Sequence, residues 1–529
     1  MQAARILVIL VVFLAACGDA PGAASEGMST TESTASDTVN LATSTGSTST
    51  GTPTPTSTAG SSTDASTDST TGETTGETTA EPSGGTTEVM ASSTSTGEPP
   101  DETWIQGFGA PESQHPGGLG FAAGGELWVA GDVYGSIDLG AGVRAPAGSG
   151  IYLAKYAASG EALWVDSFAP AGGEPTLTQV AGLVVDGAGA VIVTGWLEGS
   201  YTLGGGVLNA DEVDFYVAKW DAAGEPVWGQ KFGGVDWQVS AALALGPDDS
   251  VWVAGAALAP FDMGDIVLSG AASTGMFVAR LAADGTPLLG HWWGETGNQE
   301  IRSIAVCADD SLAIGGFFDD SLQFGAQKVQ SVGDKDMFVA RLDPEGAPTW
   351  IRAHGSSSVD YVPQVACDAS LVFAGIGTGK LKVGELVLDP AANADVVLAR
   401  LDLDGNLLAA VAITGPEDQL PTGLALLPGG DSVVAFTSAG TVTLGDSQYS
   451  SAGASDIVFA RHAPSASTPV QLLGVGDGAS QRSGPLAVHA TGVAALAGSF
   501  AGTISWPGLS PVNAAGAEDL VLVRFTPGP

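Results

Sequence analysis

The sequence predicts an all-β protein built as a seven-bladed β-propeller of four-stranded antiparallel blades, and three observations predict it. First, the segment Asp336-Met337-Phe338-Val339-Ala340-Arg341-Leu342 has seven versions, whose basic residues fall at 155, 219, 280, 341, 400, 461 and 524. The spacings of 64, 61, 61, 59, 61 and 63 give a period near sixty, the mark of a stacked or radial repeat. Second, every period holds four short apolar segments without helical periodicity, bounded by Gly, Asp or Pro turn chemistry. Third, the repeat opens on a first segment at Trp104 and closes on a fourth segment at Arg524, so each end is half of a hairpin that every interior period makes covalently. Pairing residues 104–108 with 520–525 completes the seventh sheet and removes the open edges of a linear array.

Before the repeat lie two other kinds of sequence. Residues 1–17 carry one charge, Arg5, then an apolar run from Ile6 to Ala16 and Cys17. The run is too short for a lasting transmembrane helix and reads as a signal peptide. Leu14-Ala15-Ala16-Cys17 resembles the bacterial lipobox, which implies lipidation of Cys17 and a stable membrane anchor. Residues 18–103 contain no Lys, Arg or aromatic residue and thirteen carboxylates. Such a Thr/Ser/Gly-rich stretch cannot bury enough apolar surface to offset its ordering entropy, so a disordered linker is expected. A random coil of its 86 residues spans about 50 Å, and its function is reach. Its Thr and Ser runs, such as residues 49–56, suit O-linked sugar.

The propeller domain, residues 104–529, is justified segment by segment. The first segment carries Trp104, Trp164, Trp228 or Trp350, with the tryptophan lost at 289, 409 and 471. The second is small and apolar, as in Ala181-Gly182-Leu183-Val184-Val185. The third is rich in β-formers, as in Val251-Trp252-Val253-Ala254-Gly255, and the fourth is the counting motif. Turns such as Asp186-Gly187-Ala188-Gly189 after the second segment, and Asp404-Gly405-Asn406 after the fourth, are tight-hairpin chemistry on one face. The other face therefore receives the longer connections. These contain their own pattern, Leu322-Gln323-Phe324-Gly325 for example, which predicts a short accessory hairpin on each blade. The second segment is expected innermost and the tryptophan segment outermost.

The core Asp-x-Phe-Val-Ala-Arg-Leu-Asp-x-x-Gly-x-x-x-Trp, spelled by Asp336 to Trp350, resembles the SBBP repeat of secreted and surface lipoproteins of Gram-negative bacteria, over residues 104–525. The resemblance implies a seven-bladed propeller, an outer-membrane or cell-surface location and a binding or scaffolding role, and it brings no catalytic residues. Gly150 and Gly275 depart from it where five copies have Asp, at 214, 336, 395, 456 and 519.

Composition excludes nucleic acid as a partner, because 58 acidic residues against 17 basic ones give a formal charge of -41, whereas phosphate binding needs clustered Lys and Arg. The seven repeated basic residues are expected in structural ion pairs or as snorkelling stems, and the repeated Asp as a local backbone cap. The acidic pairs Asp248-Asp249, Asp309-Asp310 and Asp319-Asp320, and the turn Asp402 to Asn406, invite calcium. The turn lacks the other ligands of a helix-flanked loop and aligns with ordinary hairpins, so no cofactor or metal is expected. His115, His291, His354, His462 and His489 share no zinc spacing, and neither a nucleophile elbow nor a phosphate loop occurs. His354, Ser356, Ser357, Ser358 and Asp360 are neighbours in one polar connection, which is not how a triad is assembled. Cys307 and Cys367, sixty residues apart, fall at one place on the second segments of adjacent blades; a disulfide and two buried thiols are both open at this point.

Together these features predict a monomeric surface lipoprotein, not an enzyme, whose propeller binds a protein or glycan on the long-loop face. An extracellular hydrolase or lyase using the propeller channel, and a purely architectural envelope component, are the alternatives.

Overall fold

The structure, a computed structural model, describes residues 103–528 apart from 110–113, 145–148, 172–176, 271–273, 295, 389–393, 465–468 and 517. The leader with Cys17 and the linker up to residue 102 lie outside the described residues. No helix occurs among the described residues, and seven antiparallel sheets form a ring. Blade 1 runs from axis to rim as Gln114–Phe121, Leu127–Tyr134, Ser149–Tyr156 and Ala162–Phe168. Blades 2 to 6 repeat that order from inner strands Thr178–Val185, Gln238–Leu245, Gln299–Val306, Tyr361–Cys367 and Gln419–Leu426. Blade 7 takes Gln481–Val488, Ala494–Phe500 and Asp519–Phe525 from one end of the repeat and its rim strand, Trp104–Phe108, from the other. Ile105 pairs with Val523 and Gly107 with Val521, which is the expected closure. Each inner strand packs on those of both neighbouring blades, and blade 7 on blade 1, so the ring has no free end.

The strands are so short and apolar because each blade is buried on both faces between its neighbours. Val339 and Phe338 of blade 4, for instance, are both fully buried, one on each face of the sheet. The repeated Asp sits where its carboxylate closes the loop before the strand. Asp336 accepts hydrogen bonds from the Val332 and Gly333 amides, at 2.8 and 3.3 Å, and Asp519 those of Ala515 and Gly516. The end of the adjoining rim strand must yield room for it. A Cβ on Gly355 would fall 2.1 Å from the Asp336 carboxyl carbon, and one on Gly109 would fall 1.9 Å from an Asp519 oxygen, so the Trp-to-Gly segment ends in glycine. Gly275 lacks the Asp because the indole of Trp292 fills its place.

The accessory hairpin expected on each blade is present. The hairpins leave the long-loop face but turn back along the rim: the tip Gly325 lies against Pro348, and Gly384 against Leu407, both at the short-turn end of a rim strand. Leu322 and Phe324, or Leu381 and Val383, bury their side chains under that cover. The hairpins thus shield the outermost edge of each blade. In blade 2 the extension is continuous, so that Val191–Leu203 and Gly206–Trp220 serve as blade strands and hairpin at once.

Candidate functional site at the long-loop mouth

The seven basic residues are consumed by architecture. Lys219 pairs with Asp186 at 2.8 Å, Arg280 with Asp248 at 2.8 Å, Arg461 with Asp431 at 2.7 Å, and Arg341 with Asp309, each acid lying in the tight turn of the same blade. Burial raises the Asp186 carboxyl, but Lys219 and two turn amides outweigh it and hold the group below the usual range. Several of these cations also reach the next blade, where carbonyls accept their N–H groups: Lys155 to Ala222, Arg341 to Leu403, and Arg524 to Ala158 across the closure. The tryptophans donate alongside, Trp350 to Leu403 and Trp104 to Ala158, so one carbonyl takes both residues.

Most carboxylates that invited calcium have local partners as well. Asp248 and Asp309 belong to the ion pairs above, Asp319 accepts the Asn298 amides, Asp320 accepts the Thr296 hydroxyl, and Asp402 caps its own turn through Asp404 and Asn406. Among the described residues no group of three or more His, Cys, Asp or Glu is placed to hold a metal. His354 is buried, stacked on Phe373 at 5.1 Å, and burial holds it down to about 4, so it is neutral at pH 7. Asp360 accepts the Ser356 and Thr378 amides, and the Ser356 hydroxyl accepts the Ser358 amide. Ser356, Ser358 and Asp360 thus form a capped turn, while the His354 ring packs on Phe373 at the end of the rim strand. Cys307 and Cys367 are joined by a disulfide, with Cα atoms 4.7 Å apart. It links the inner strands of blades 4 and 5 at the short-turn face, beside the bond from the Ala308 amide to the Asp368 carbonyl.

What differs chemically from blade to blade lies one residue into the inner strand at the long-loop face, together with its partner on the next strand. Blades 1 to 4 place there His115 with Asp132, Gln179 with Trp196, Val239 with Ala256, and Glu300 with Phe317. Blades 6 and 7 place Leu420 with Thr437 and Arg482 with Ser499. The Trp196 indole N–H donates to the Gln179 side-chain oxygen Oε1 at 2.9 Å. In blade 4 the Arg302 guanidinium contacts Glu300 at 2.6 Å, and Arg302 and Lys335 both lie over the Phe317 ring, at 5.4 and 4.6 Å. The mouth therefore brings charges of both signs beside aromatic rings, and Trp196, Phe317 and Glu300 are themselves buried there.

Sequence reading missed two parts of this arrangement. Gln114, Gln238, Gln299, Gln419 and Gln481 open their inner strands fully buried. Gln238 accepts the Gly234 amide and donates to the Val235 carbonyl, both at 2.8 Å, pinning the incoming loop. Their recurrence at whole multiples of the period was the available signal. The other is Asp132, which no periodicity marks because only blade 1 has it. Its carboxyl is buried, accepts the Val180 amide at a long 3.4 Å, and is pushed up to about 7 by burial.

That carboxyl predicts a pH dependence. Between its ordinary value of 3.8 and about 7 the folded protein keeps a proton that the unfolded chain has lost. Stability contributed by this group therefore falls as pH rises through that window, by an amount on the order of 4 kcal/mol when complete. Asp132→Asn should be little changed at pH 4 and more stable than the wild type at pH 8, read as the urea midpoint across pH. Parallel profiles would show that Asp132 is ionised throughout.

No protein-family model matches the sequence, and no curated protein is similar to it. Solved structures align with the chain only loosely. A puromycin hydrolase mutant aligns at 14% identity and a TM-score of 0.41 over 74% of this chain, which spans about half (51%) of that protein's length. An ulvan polysaccharide lyase aligns at 8% identity, TM-score 0.39, over 74% of this chain and 93% of its own. A europium-containing methanol dehydrogenase aligns at 10% identity, TM-score 0.36, over 77% and 81%.

Proposed function

We propose that this protein is a surface-anchored lipoprotein whose propeller binds a protein or glycan at the long-loop mouth. The observation that carries the reading is the contrast within the repeat. The basic residues, capping acids and buried glutamines do the same structural task in blade after blade, whereas the residues at the mouth differ and combine Trp196, Phe317, Glu300, Arg302 and Lys335. Charged and hydrogen-bonding groups of varied kind, held over buried aromatic rings, suit sugar hydroxyls and protein side chains alike. Anchorage through Cys17 and the reach of residues 18–103 come from the sequence, as does the resemblance to SBBP repeats.

The test is a glycan array and a pull-down from envelope extract with the full chain. A ligand captured by the wild type and lost on joint replacement of Glu300 and Arg302 by Ala is the expected result. Capture unaffected by that change places binding elsewhere, and no capture in either format favours the architectural role. Protease shaving of intact cells, with release of the propeller, checks the surface location; retention puts it in the periplasm. A hydrolase or lyase is the second reading, favoured by a buried carboxyl that keeps its proton near neutrality, as general acids do, in Asp132. It requires turnover of an array ligand that Asp132→Asn abolishes.

A further inference from the structure

The rim position that carries tryptophan in four blades is paired, in every blade, with the basic residue of the counting motif: Trp104 with Arg524, Trp164 with Lys155, Trp228 with Lys219, Trp350 with Arg341, and Gln471 with Arg461. Where the tryptophan is present, its indole lies on the left-handed glycine of the next blade's turn, Gly160, Gly224, Gly285 or Gly405. Its N–H donates to a carbonyl of that turn in three of the four, those of Ala158, Ala283 and Leu403. Loss of the indole has three different outcomes. Beside Leu289 the space over Gly346 is taken by His291 and Trp252. Beside Ala409 it has closed to about 10 Å³. Beside Gln471, between blades 6 and 7, a cavity of about 260 Å³ stays open.

That cavity is walled by Phe459, Trp506 and Phe525, whose rings lie 4.7 to 5.5 Å apart by centroid, with Gln471, Arg461 and the Pro527 segment completing it. Apolar protein cavities of about 150 Å³ already hold benzene, so this one has room for a bicyclic ring. We propose that it binds a small planar aromatic molecule bearing an N–H donor, of the indole class. The fold shows the fit in its own sister blades, where an indole fills the corresponding volume against the partner blade. Pro527 stands three residues past Arg524, as Ala158 stands past Lys155 and Leu403 past Arg400; here the Arg461 guanidinium donates to the carbonyl of the adjoining Gly528, so the Pro527–Gly528 carbonyls are the acceptors offered to the ligand's N–H.

The experiment is a titration of the full chain with indole and with 1-methylindole, followed by ligand-observed NMR and thermal melting. Indole should bind saturably and raise the melting temperature, and 1-methylindole, lacking the donor, should bind about tenfold more weakly. Gln471→Trp supplies the missing ring from within and should abolish indole binding while raising the melting temperature of the free protein. Absence of saturable binding to the wild type, or undiminished binding to folded Gln471→Trp, overturns the site. Equal affinity for the two ligands overturns the assigned hydrogen bond. The comparison of ligands on the wild type decides the matter even if the variant fails to fold.

Discussion

Deletion of residues 518–529 is expected to abolish the folded monomer. The deletion removes Asp519–Phe525, every residue of which is buried, and leaves Trp104–Phe108 on one side and Ala494–Phe500 on the other with unpaired edges. It also removes Arg524, whose bond to the Ala158 carbonyl ties blade 7 to blade 1. A third strand lost from the middle of a blade exposes both edges and both apolar faces at once, and the cost is comparable with the whole stability of an ordinary domain, about 5–15 kcal/mol. Gel filtration and urea unfolding provide the measurement. The shortened chain should aggregate or unfold at low urea, and a monomer as stable as the full chain would disprove closure by Trp104–Phe108.

Removal of the Cys307–Cys367 disulfide is expected to have the next largest effect. The bond closes a loop of 60 residues, and the chain-entropy argument assigns a loop of that length about 4 kcal/mol. Cys307→Ser with Cys367→Ser should therefore lower the urea midpoint by a corresponding amount while the ring stays folded, because blades 4 and 5 are also joined by the Val365 amide donating to the Ser303 hydroxyl, at 3.0 Å, and by a common apolar core. A thiol assay on denatured, unreduced protein checks the bond itself; two reactive thiols would rule it out. Equal midpoints for the wild type and the double variant would show that the crosslink contributes nothing to stability.

Legibility followed repetition. The counting motif gave the blade number, the order of strands and the closing pair, because a residue that does the same task seven times leaves seven marks. The Asp before the fourth strand was readable as a cap for the same reason. The rim-strand glycine was visible but its cause was not, since it depends on a carboxylate a strand away in space. The accessory hairpins were found by their Leu-x-Phe-Gly pattern, yet their direction was not, because alternation fixes which residues are buried and not whether a hairpin rises from a face or folds down a rim. Asp132 lay wholly outside what repetition reveals, and so did the vacancy at Gln471, which was legible only as a missing tryptophan.

By itself the sequence determined the architecture: seven blades, four strands each, and a ring closed by residues far apart in the chain, because period and strand alternation are local properties that add up without ambiguity. Only the tertiary structure decided which repeated charges are spent on neighbouring blades, which cysteines meet, which faces the hairpins cover and which lost tryptophan left a cavity. Those outcomes depend on contacts between blades, where residues some sixty positions apart share one small volume and packing alone settles who fills it.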